Sequence, residues 1–274
     1  MLKHTFIHIP NIGRRIERRL WREGVTDWGR VEGAALSLSF KERLLEEVSI
    51  SSERLLRGDS GYFYERLPSE EQWRLFGEFR GSCAYIDIET GLDAGRDIIT
   101  TASLWDGKEI MWYVNGDNLR EFPERLLEYK LAVTYNGKCF DMPFIARFFG
   151  VEVNIPHIDL RYPLKAVGLC GGVKKVEKRL GISRGELDGV DGYMAVLLWG
   201  EYKSRGNLRA LETLIAYNIE DVVNLEKIMY FVYNKKLEET PFGREKLEFE
   251  EREIPVGFKA DRGLVERLWE RRMY

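Results

Sequence analysis

The spacing of hydrophobic and polar positions changes near Cys83, and the new pattern predicts β-strands in the middle of the chain. An apolar run interrupted by two acidic residues comes first, followed by a stretch rich in β-branched side chains. Asp106-Gly107 is typical of a tight hairpin turn. The predicted strands cover 84–89, 98–105, 110–114 and 132–135. Strands that begin as a hairpin and then alternate with helices predict an α/β fold, a mixed sheet flanked by helices.

Helical spacing dominates on both sides of these strands. Near the N-terminus, Ile9, Ile12, Ile16 and Leu20 recur as on one face of a helix. After Pro156 the chain is predicted to be mostly helical, with Asp159 capping the first of these helices. The predicted organisation is a small helical region at 1–80, a sheet-containing domain at 81–234 and a charged C-terminal extension at 235–274.

The composition narrows the class of protein. Hydrophobic residues make up 44% and charged residues 32% of the 274 residues, so a packed core is feasible. No apolar run approaches the length of a membrane span and the N-terminus lacks a signal peptide, so we expect a cytoplasmic protein without membrane contact. The cysteines and histidines, three of each, are scattered, which disfavours disulfide or zinc chemistry.

The charge and the amide content add two further expectations. The formal net charge of -3 and the pI near 5.9 do not indicate nucleic-acid binding. A cluster of metal-binding carboxylates would, however, lower the pI without repelling an anionic substrate once metal is bound. Gln72 is the only glutamine in a chain rich in Lys, Arg and Glu, a composition typical of a hyperthermophile protein.

Two acids on the first predicted strand are the first candidate site residues. Asp87 and Glu89 are two positions apart, and because side chains alternate along a strand, both project from the same face. Adjacent carboxylates in an apolar run repel each other and lose hydration. A divalent cation with oxygen ligands would offset both effects. The alternative is an edge strand on which one acid faces solvent.

Three further candidates lie later in the chain. Asp141 stands where a helix begins, so it is either a site residue or a helix N-cap. Tyr217 and Asp221 are four positions apart on a long predicted helix and therefore share a face. The alternative for Asp221 is an ion pair with a lysine or an arginine.

Together these segments resemble a known family. Asp-x-Glu on a first strand, Asn136-x3-Phe140-Asp141 after a fourth strand and Tyr-x3-Asp on a late helix resemble the three motifs of the DnaQ-like exonucleases of the DEDDy type, within the RNase H-like superfamily. Segments outside the motifs, including residues 8–13 and 171–177, resemble the YprB-type branch. The resemblance implies an RNase H-like exonuclease domain at 81–234.

The resemblance also implies a mechanism. Two Mg²⁺ or Mn²⁺ ions would be held by Asp87, Glu89, Asp141 and Asp221, with Asp87 bridging both ions. Tyr217 would orient the attacking water. The enzyme would hydrolyse phosphodiester bonds from a free 3′ end and release 5′-mononucleotides.

Substrate contacts follow from the same resemblance. The segment Thr90, Gly91 and Leu92 would contact the terminal nucleotide, and Asn136 is placed to contact the nucleic-acid substrate. Single-stranded DNA is the favoured partner, because such sites hold an unpaired end whose last base is splayed. The alternatives are an exoribonuclease acting on RNA 3′ ends and a nucleic-acid-binding module without activity.

Two basic helices are candidate nucleic-acid contacts. Residues 9–13 resemble the hairpin of a helix-hairpin-helix motif, although Asn11 stands where that motif usually has glycine. Arg14 and Arg18 on the next helix would then contact phosphates. Lys174, on a later basic helix, would guide a strand toward the metals. The alternative is two solvated faces, the first with Glu17 and Glu23 as local partners of the arginines.

Overall fold

A computed structural model describes residues 1–187, 190–252, 254 and 257–272. Residues 253, 255, 256, 273 and 274 of the predicted C-terminal extension lie outside the described residues. The strands in the described part of the chain are β1 (Cys83–Asp93), β2 (Arg96–Trp105), β3 (Ile110–Val114), β4 (Leu131–Thr134) and β5 (His157–Asp159).

The helices surround these strands. The α-helices within the described ranges are α1 (Arg14–Arg22), α2 (Leu38–Leu56), α3 (Ser60–Arg66), α4 (Phe76–Phe79), α5 (Phe122–Leu127), α6 (Asp141–Phe149), α7 (Arg161–Ala166), α8 (Val173–Leu180), α9 (Gly192–Arg205), α10 (Leu208–Glu238) and α11 (Arg262–Arg272). Short 3-10 helices cover Leu2–His4, Trp28–Arg30, Ser69–Leu75, Arg80–Ser82, Leu119–Glu121 and Gly185–Leu187.

The described strands form one mixed sheet in the order β3-β2-β1-β4-β5. β1 pairs antiparallel with β2 and β2 with β3, whereas β1–β4 and β4–β5 are parallel. The hairpin between β2 and β3 turns at Asp106, whose Oδ1 accepts hydrogen bonds of 2.8 Å from the backbone N–H groups of Lys108 and Glu109. The mixed α/β sheet predicted from the sequence is confirmed.

The two faces of the sheet belong to two hydrophobic cores. Cys83 and Tyr85 face the larger core, which includes residues of α9 and α10, whereas Ala84 and Ile86 face a smaller core with residues of α5 and α6. This division follows the alternation of side chains along a strand. Asp87 and Glu89 continue the odd-numbered positions of β1, so they lie on the side of the sheet that α10 covers.

The N-terminal and C-terminal segments pack against the same larger core. Leu20 of α1 and Leu268 of α11 both belong to it. Glu17 of α1 is 1% exposed, accepts a 2.7 Å hydrogen bond from the Phe6 backbone N–H and forms a two-pronged ion pair with Arg74 at 2.8 and 2.9 Å. The alternative reading of α1 as a solvated face is therefore wrong for Glu17, whereas Glu23 does form an ion pair with Arg19 at 3.7 Å. The boundaries at residues 80 and 234 stay a prediction.

The chain after Pro156 begins with a strand rather than with a helix. β5 runs parallel to β4, pairing Ala132 with His157 and Thr134 with Asp159. The helices predicted after Pro156 begin with α7, and Asp159 Oδ1 accepts a 3.0 Å hydrogen bond from the backbone N–H of Arg161, the first residue of that helix, as a capping residue does. The strand at His157–Asp159 was not predicted. A strand of three residues is too short to show an alternating pattern in the sequence.

In the part of the chain that the structure describes, no helix combines the length and the hydrophobicity needed to cross a membrane.

Candidate metal centre

Three carboxylates from two elements converge at the middle of β1. Asp87 and Glu89 come from the strand and Asp221 from the middle of α10. Each offers an oxygen, and these ligand atoms lie within 4.8 Å of one another. Glu89 and Asp221 are buried, whereas Asp87 is partly accessible. Like charges so close together need a cation, and carboxylate oxygens are the ligands that Mg²⁺ and Mn²⁺ prefer.

The protonation of the cluster reflects the same crowding. Burial raises the pKa of Asp87 well above its usual value, and the charges of Asp221, Asp141 and Glu89 raise it further. The pKa of Glu89 is raised well above its usual value by burial first and then by Asp221. In the absence of metal, the cluster therefore holds protons at a pH where isolated carboxylic acids have lost them.

Asp141 is the first residue of α6, and its carboxylate accepts a hydrogen bond from the backbone of Ile88, which lies between Asp87 and Glu89 on β1. It is buried, and burial raises its pKa to about 7, although the backbone N–H groups of Asp141 and Ile88 act in the opposite direction. Asp141 does not belong to the group of ligand atoms within 4.8 Å, yet its charge raises the pKa values of both Asp87 and Glu89. All four acids therefore act on one another electrostatically.

Asn218 holds Asp87 in place, and the sequence motifs did not point to it. Its Nδ2 donates to Asp87 Oδ2 at 2.8 Å and to the Asp87 backbone carbonyl at 3.3 Å. Asn218 is completely buried and lies on α10, three positions before Asp221. Asn218 shares a helix face with Tyr217 and Asp221, and this spacing could have identified it from the sequence.

Arg184 forms an ion pair with Asp221, as the alternative reading of that acid expected. The guanidinium Nη2 donates to Asp221 Oδ1, and Nε and Nη2 donate to Glu177 at 2.7 Å each. Asn224 supports Glu177 with a 3.1 Å hydrogen bond. Asp221 thus belongs to the acid cluster and to this ion pair at once. Arg184 lies in a loop, so no periodic pattern identified it.

Tyr217 stands one helical turn before Asp221 and borders the cluster. Burial raises its pKa, and the charges of Asp221, Glu89 and Asp87 raise it further, so the phenol keeps its proton. The Lys174 ammonium lies 4.8 Å from the centroid of the Tyr217 ring and donates a hydrogen bond to the Val190 carbonyl. Burial lowers the pKa of Lys174.

The segment Thr90–Gly91–Leu92 continues β1 beyond the acids. The pairing of β1 with β2 shifts between Glu89 and Thr90, as at a β-bulge. A Cβ on Gly91 would lie 2.9 Å from the Thr100 methyl carbon, so only glycine fits without displacement. Leu92 is 65% exposed, an unusual position for a large apolar side chain.

Asn136 follows β4 in the left-handed conformation, with φ at 68°. Its side-chain oxygen accepts a 2.6 Å hydrogen bond from Arg161, and its backbone N–H donates to Asp159 at 2.8 Å. Asp159 also accepts from the Lys138 backbone N–H at 3.1 Å. Asp159 therefore positions the loop that carries Asn136, a role that the sequence did not indicate.

The basic residues of α1 lie apart from the acid cluster. Asn11 adopts φ of 66°, so the turn before α1 forms with asparagine in place of glycine. Arg14 forms ion pairs with Glu71 at 2.7 Å and with Glu70 at 3.2 Å, whereas Arg18 is exposed.

A family profile and a solved structure are each similar to part of this chain. The sequence profile of the family RNase_H_2, described as RNase_H superfamily, matches residues 84–233. Among solved structures, a family B DNA polymerase from the hyperthermophilic archaeon Pyrobaculum calidifontis is similar, with a TM-score of 0.43 and 17% sequence identity. The similar region covers 59% of this chain and 26% of that polymerase chain. No curated protein is significantly similar in sequence.

Proposed function

This chain belongs to the RNase H superfamily, whose nuclease fold implies a nucleic-acid substrate, and from that premise we propose that it is a metal-dependent 3′–5′ exonuclease. It acts on single-stranded DNA and releases 5′-mononucleotides. The observation that carries the proposal is the convergence of Asp87, Glu89 and Asp221 within 4.8 Å in a partly enclosed site.

The donor set fits divalent cations with hard oxygen ligands. Asp87, Glu89 and Asp221 form the closest group, and Asp141, whose charge raises the pKa values of Asp87 and Glu89, completes the set. Two Mg²⁺ or Mn²⁺ ions, when bound, supply an activated water and stabilise the negative charge that develops on the phosphate. The raised pKa values support this assignment, because burial and mutual repulsion outweigh the charges of Arg184 and Lys174 beside the acids.

The chain's own residues orient the reacting groups. Asn218 fixes the carboxylate of Asp87 through a 2.8 Å hydrogen bond. Tyr217 orients the attacking water by hydrogen bonding and does not act as a base, because its phenol keeps its proton. Leu92, 65% exposed beside the site, separates the terminal base from its neighbour, as suits an unpaired 3′ end.

A nuclease assay on labelled strands tests the proposal. The full chain is incubated with Mg²⁺ or Mn²⁺ and with single-stranded DNA or RNA that carries a 5′ label. We expect a ladder of products shortened from the 3′ end, formed faster on DNA, and lost with EDTA or in Asp87→Ala. Glu124→Ala, which removes an exposed acid on α5, serves as the matched control and retains activity.

Each other outcome of this assay has a defined meaning. Faster shortening of RNA identifies an exoribonuclease and contradicts the DNA assignment. Fragments from internal cleavage contradict exonuclease action. Shortening that persists in Asp87→Ala contradicts the assignment of the centre.

The ion pair between Arg184 and Asp221 favours a second candidate, a nucleic-acid-binding module without turnover. A guanidinium on Asp221 neutralises charge that a metal ligand needs. Calorimetric titration with Mn²⁺ separates the two candidates. The exonuclease should bind Mn²⁺ with a heat that is lost in Asp87→Ala, whereas the binding module should show no such heat.

A further inference from the structure

A cavity borders the metal centre on the side of α8. It has a volume of about 540 Å³, and its lining includes Lys174, Lys178, Ser183 and Arg184. The three basic side chains come from one face of α8 and from the loop that follows it. Glu177 also lines the cavity, but its two oxygens already accept hydrogen bonds from Arg184. The remaining polar groups are therefore mainly donors, which suits an anionic ligand.

Arg184 contributes a donor without a partner. Its side chain is 4% exposed, and Nη1 is buried with no hydrogen-bond partner among the described residues. Its Nε and Nη2 are occupied by Glu177 and Asp221. A buried N–H of a charged group is costly to leave unsatisfied, so this atom marks a place for an acceptor.

The position of the cavity relates it to the proposed reaction. Arg184 contacts Asp221 directly, and Lys174 lies 4.8 Å from the ring centroid of Tyr217. A ligand in the cavity is thus one side chain away from the acids. Phosphate matches this lining, because its compact oxygens accept hydrogen bonds from both guanidinium and ammonium groups.

We propose that this cavity, lined by Lys174, Lys178 and Arg184, binds a phosphate group of the nucleic acid beside the one that is cleaved or released. The proposal rests on the proposed function, since it assumes that the acids act on a nucleotide. Two sources share this chemistry, namely a neighbouring linkage of the bound strand and the 5′-phosphate of the released mononucleotide.

Binding measurements with chemically neutralised phosphates test the proposal. A fluorescent single-stranded deoxythymidine oligonucleotide is titrated with protein in the presence of Ca²⁺, and a gel verifies that the strand stays intact. In a set of strands, each linkage in turn is replaced by an uncharged methylphosphonate. We expect one replacement to weaken binding by the wild type about tenfold, the effect of losing a charge-assisted hydrogen bond.

Variants of α8 locate that phosphate. Lys178→Ala should weaken binding of the unmodified strand about tenfold and show no further loss at the sensitive linkage. Arg179→Ala is the matched control, because it removes an exposed charge from the same helix outside the cavity. When the sensitive linkage is neutralised, Arg179→Ala should lose as much binding affinity as the wild type does. Arg184 itself is left unchanged, since its removal would strand the buried Glu177.

A second arm identifies the source of the phosphate. Thymidine 5′-monophosphate and thymidine are titrated calorimetrically against wild type and Lys178→Ala. If Lys178→Ala removes the effect of neutralising one linkage of the strand, the cavity binds a phosphodiester of the substrate. If Lys178→Ala weakens only the binding of the mononucleotide, the cavity binds the product. Either result is a coupling between Lys178 and a phosphate. If Lys178→Ala weakens the binding of neither ligand more than Arg179→Ala does, the proposal is overturned, even when the protein is an active exonuclease. If coupling is seen but no cleavage occurs with Mg²⁺ or Mn²⁺, the proposed function fails and the phosphate site stands.

Discussion

Single carboxylates in the acid cluster are held in place against their mutual repulsion. Asp87 accepts a hydrogen bond from Asn218, and Asp221 is paired with Arg184. The pKa of Asp87 is nevertheless well above its usual value, because burial and the neighbouring acids disfavour the charge. A raised pKa means that the ionised residue destabilises the metal-free fold.

Replacing Asp87 by asparagine should therefore stabilise the metal-free protein. Asp87→Asn removes the charge and keeps an oxygen that accepts from Asn218, so we expect the free energy of unfolding to rise by about 1–2 kcal/mol at pH 8. Urea denaturation in EDTA measures this change. Glu124→Gln on α5 removes an exposed charge and should change the stability by less than about 0.5 kcal/mol. A destabilised Asp87→Asn variant would contradict the repulsion described here.

Tyr217 provides a separate test at the same scale. Tyr217→Phe keeps the ring beneath Lys174 and removes only the hydroxyl group that orients water. We expect the single-turnover cleavage rate to fall about 10- to 100-fold, while Mn²⁺ affinity stays unchanged. Rapid-quench kinetics and calorimetry measure the two quantities. A loss of metal affinity equal to the loss of rate would show that the hydroxyl group supports the metal site instead.

At the scale of elements, strands and a long helix bring distant acids together, and loops orient the residues around them. The site residues were predictable from their spacing. Asp87 and Glu89 are two positions apart, as on one face of a strand, and Tyr217 and Asp221 are four positions apart, as on one face of a helix. Arg184 was not predictable, because it lies in a loop and its partner is 37 positions away.

Alanine substitutions at two glycines, one in a loop and one in a helix, test how tightly each position is packed. A Cβ on Gly137 would lie 2.1 Å from Thr134 Oγ1, which bonds His157 at 2.6 Å. Gly137→Ala should therefore cost about 2 kcal/mol or more of unfolding free energy, by overpacking and by loss of this hydrogen bond. On α9, a Cβ on Gly200 meets nothing within 4 Å, so Gly200→Ala should stabilise by about 0.5–1 kcal/mol. Chemical denaturation of both variants provides the measurement, and equal effects would contradict the loop packing.

At the scale of the whole molecule, the acid cluster links stability to pH. The mixed sheet was predictable from the pattern of strands, but β5 was not, because three residues after Pro156 carry no periodic signal. The burial of Glu17 was likewise hidden, because its partner Arg74 lies 57 positions away. The protonation of the cluster depends on such long-range packing, so only the folded structure reveals it.

In the metal-free protein, the contribution of the acid cluster to stability should fall as the pH rises from about 4 to about 7. Unfolded acids lose their protons near pH 4, whereas folded Asp141 keeps its proton up to a pKa of about 7. The acids of the native cluster bind more protons than the same acids in the unfolded chain in this window, so their contribution to the free energy of unfolding falls with rising pH. Buried His8 and His157, whose pKa values burial lowers to about 3, act in the opposite direction. Melting of the wild type and of Asp141→Asn in EDTA across the window measures this contribution as the difference between the two proteins.

Added Mn²⁺ provides the complementary check. Metal must displace more protons from the cluster at pH 6 than at pH 8, so its stabilising effect should be larger at pH 8. A metal effect independent of pH would contradict the raised pKa values. In Asp87→Asn the metal effect should be largely lost at both pH values.

The hydrogen bond between Asn218 and Asp87 joins residues 131 positions apart. During biosynthesis, β1 emerges from the ribosome long before the middle of α10 is translated. A nascent chain therefore exposes Asp87 and Glu89 without Asp221, and the centre is completed only when most of the sheet-containing region has been made. Such an order of assembly leaves the acid cluster incomplete until α10 has been translated and has packed against β1.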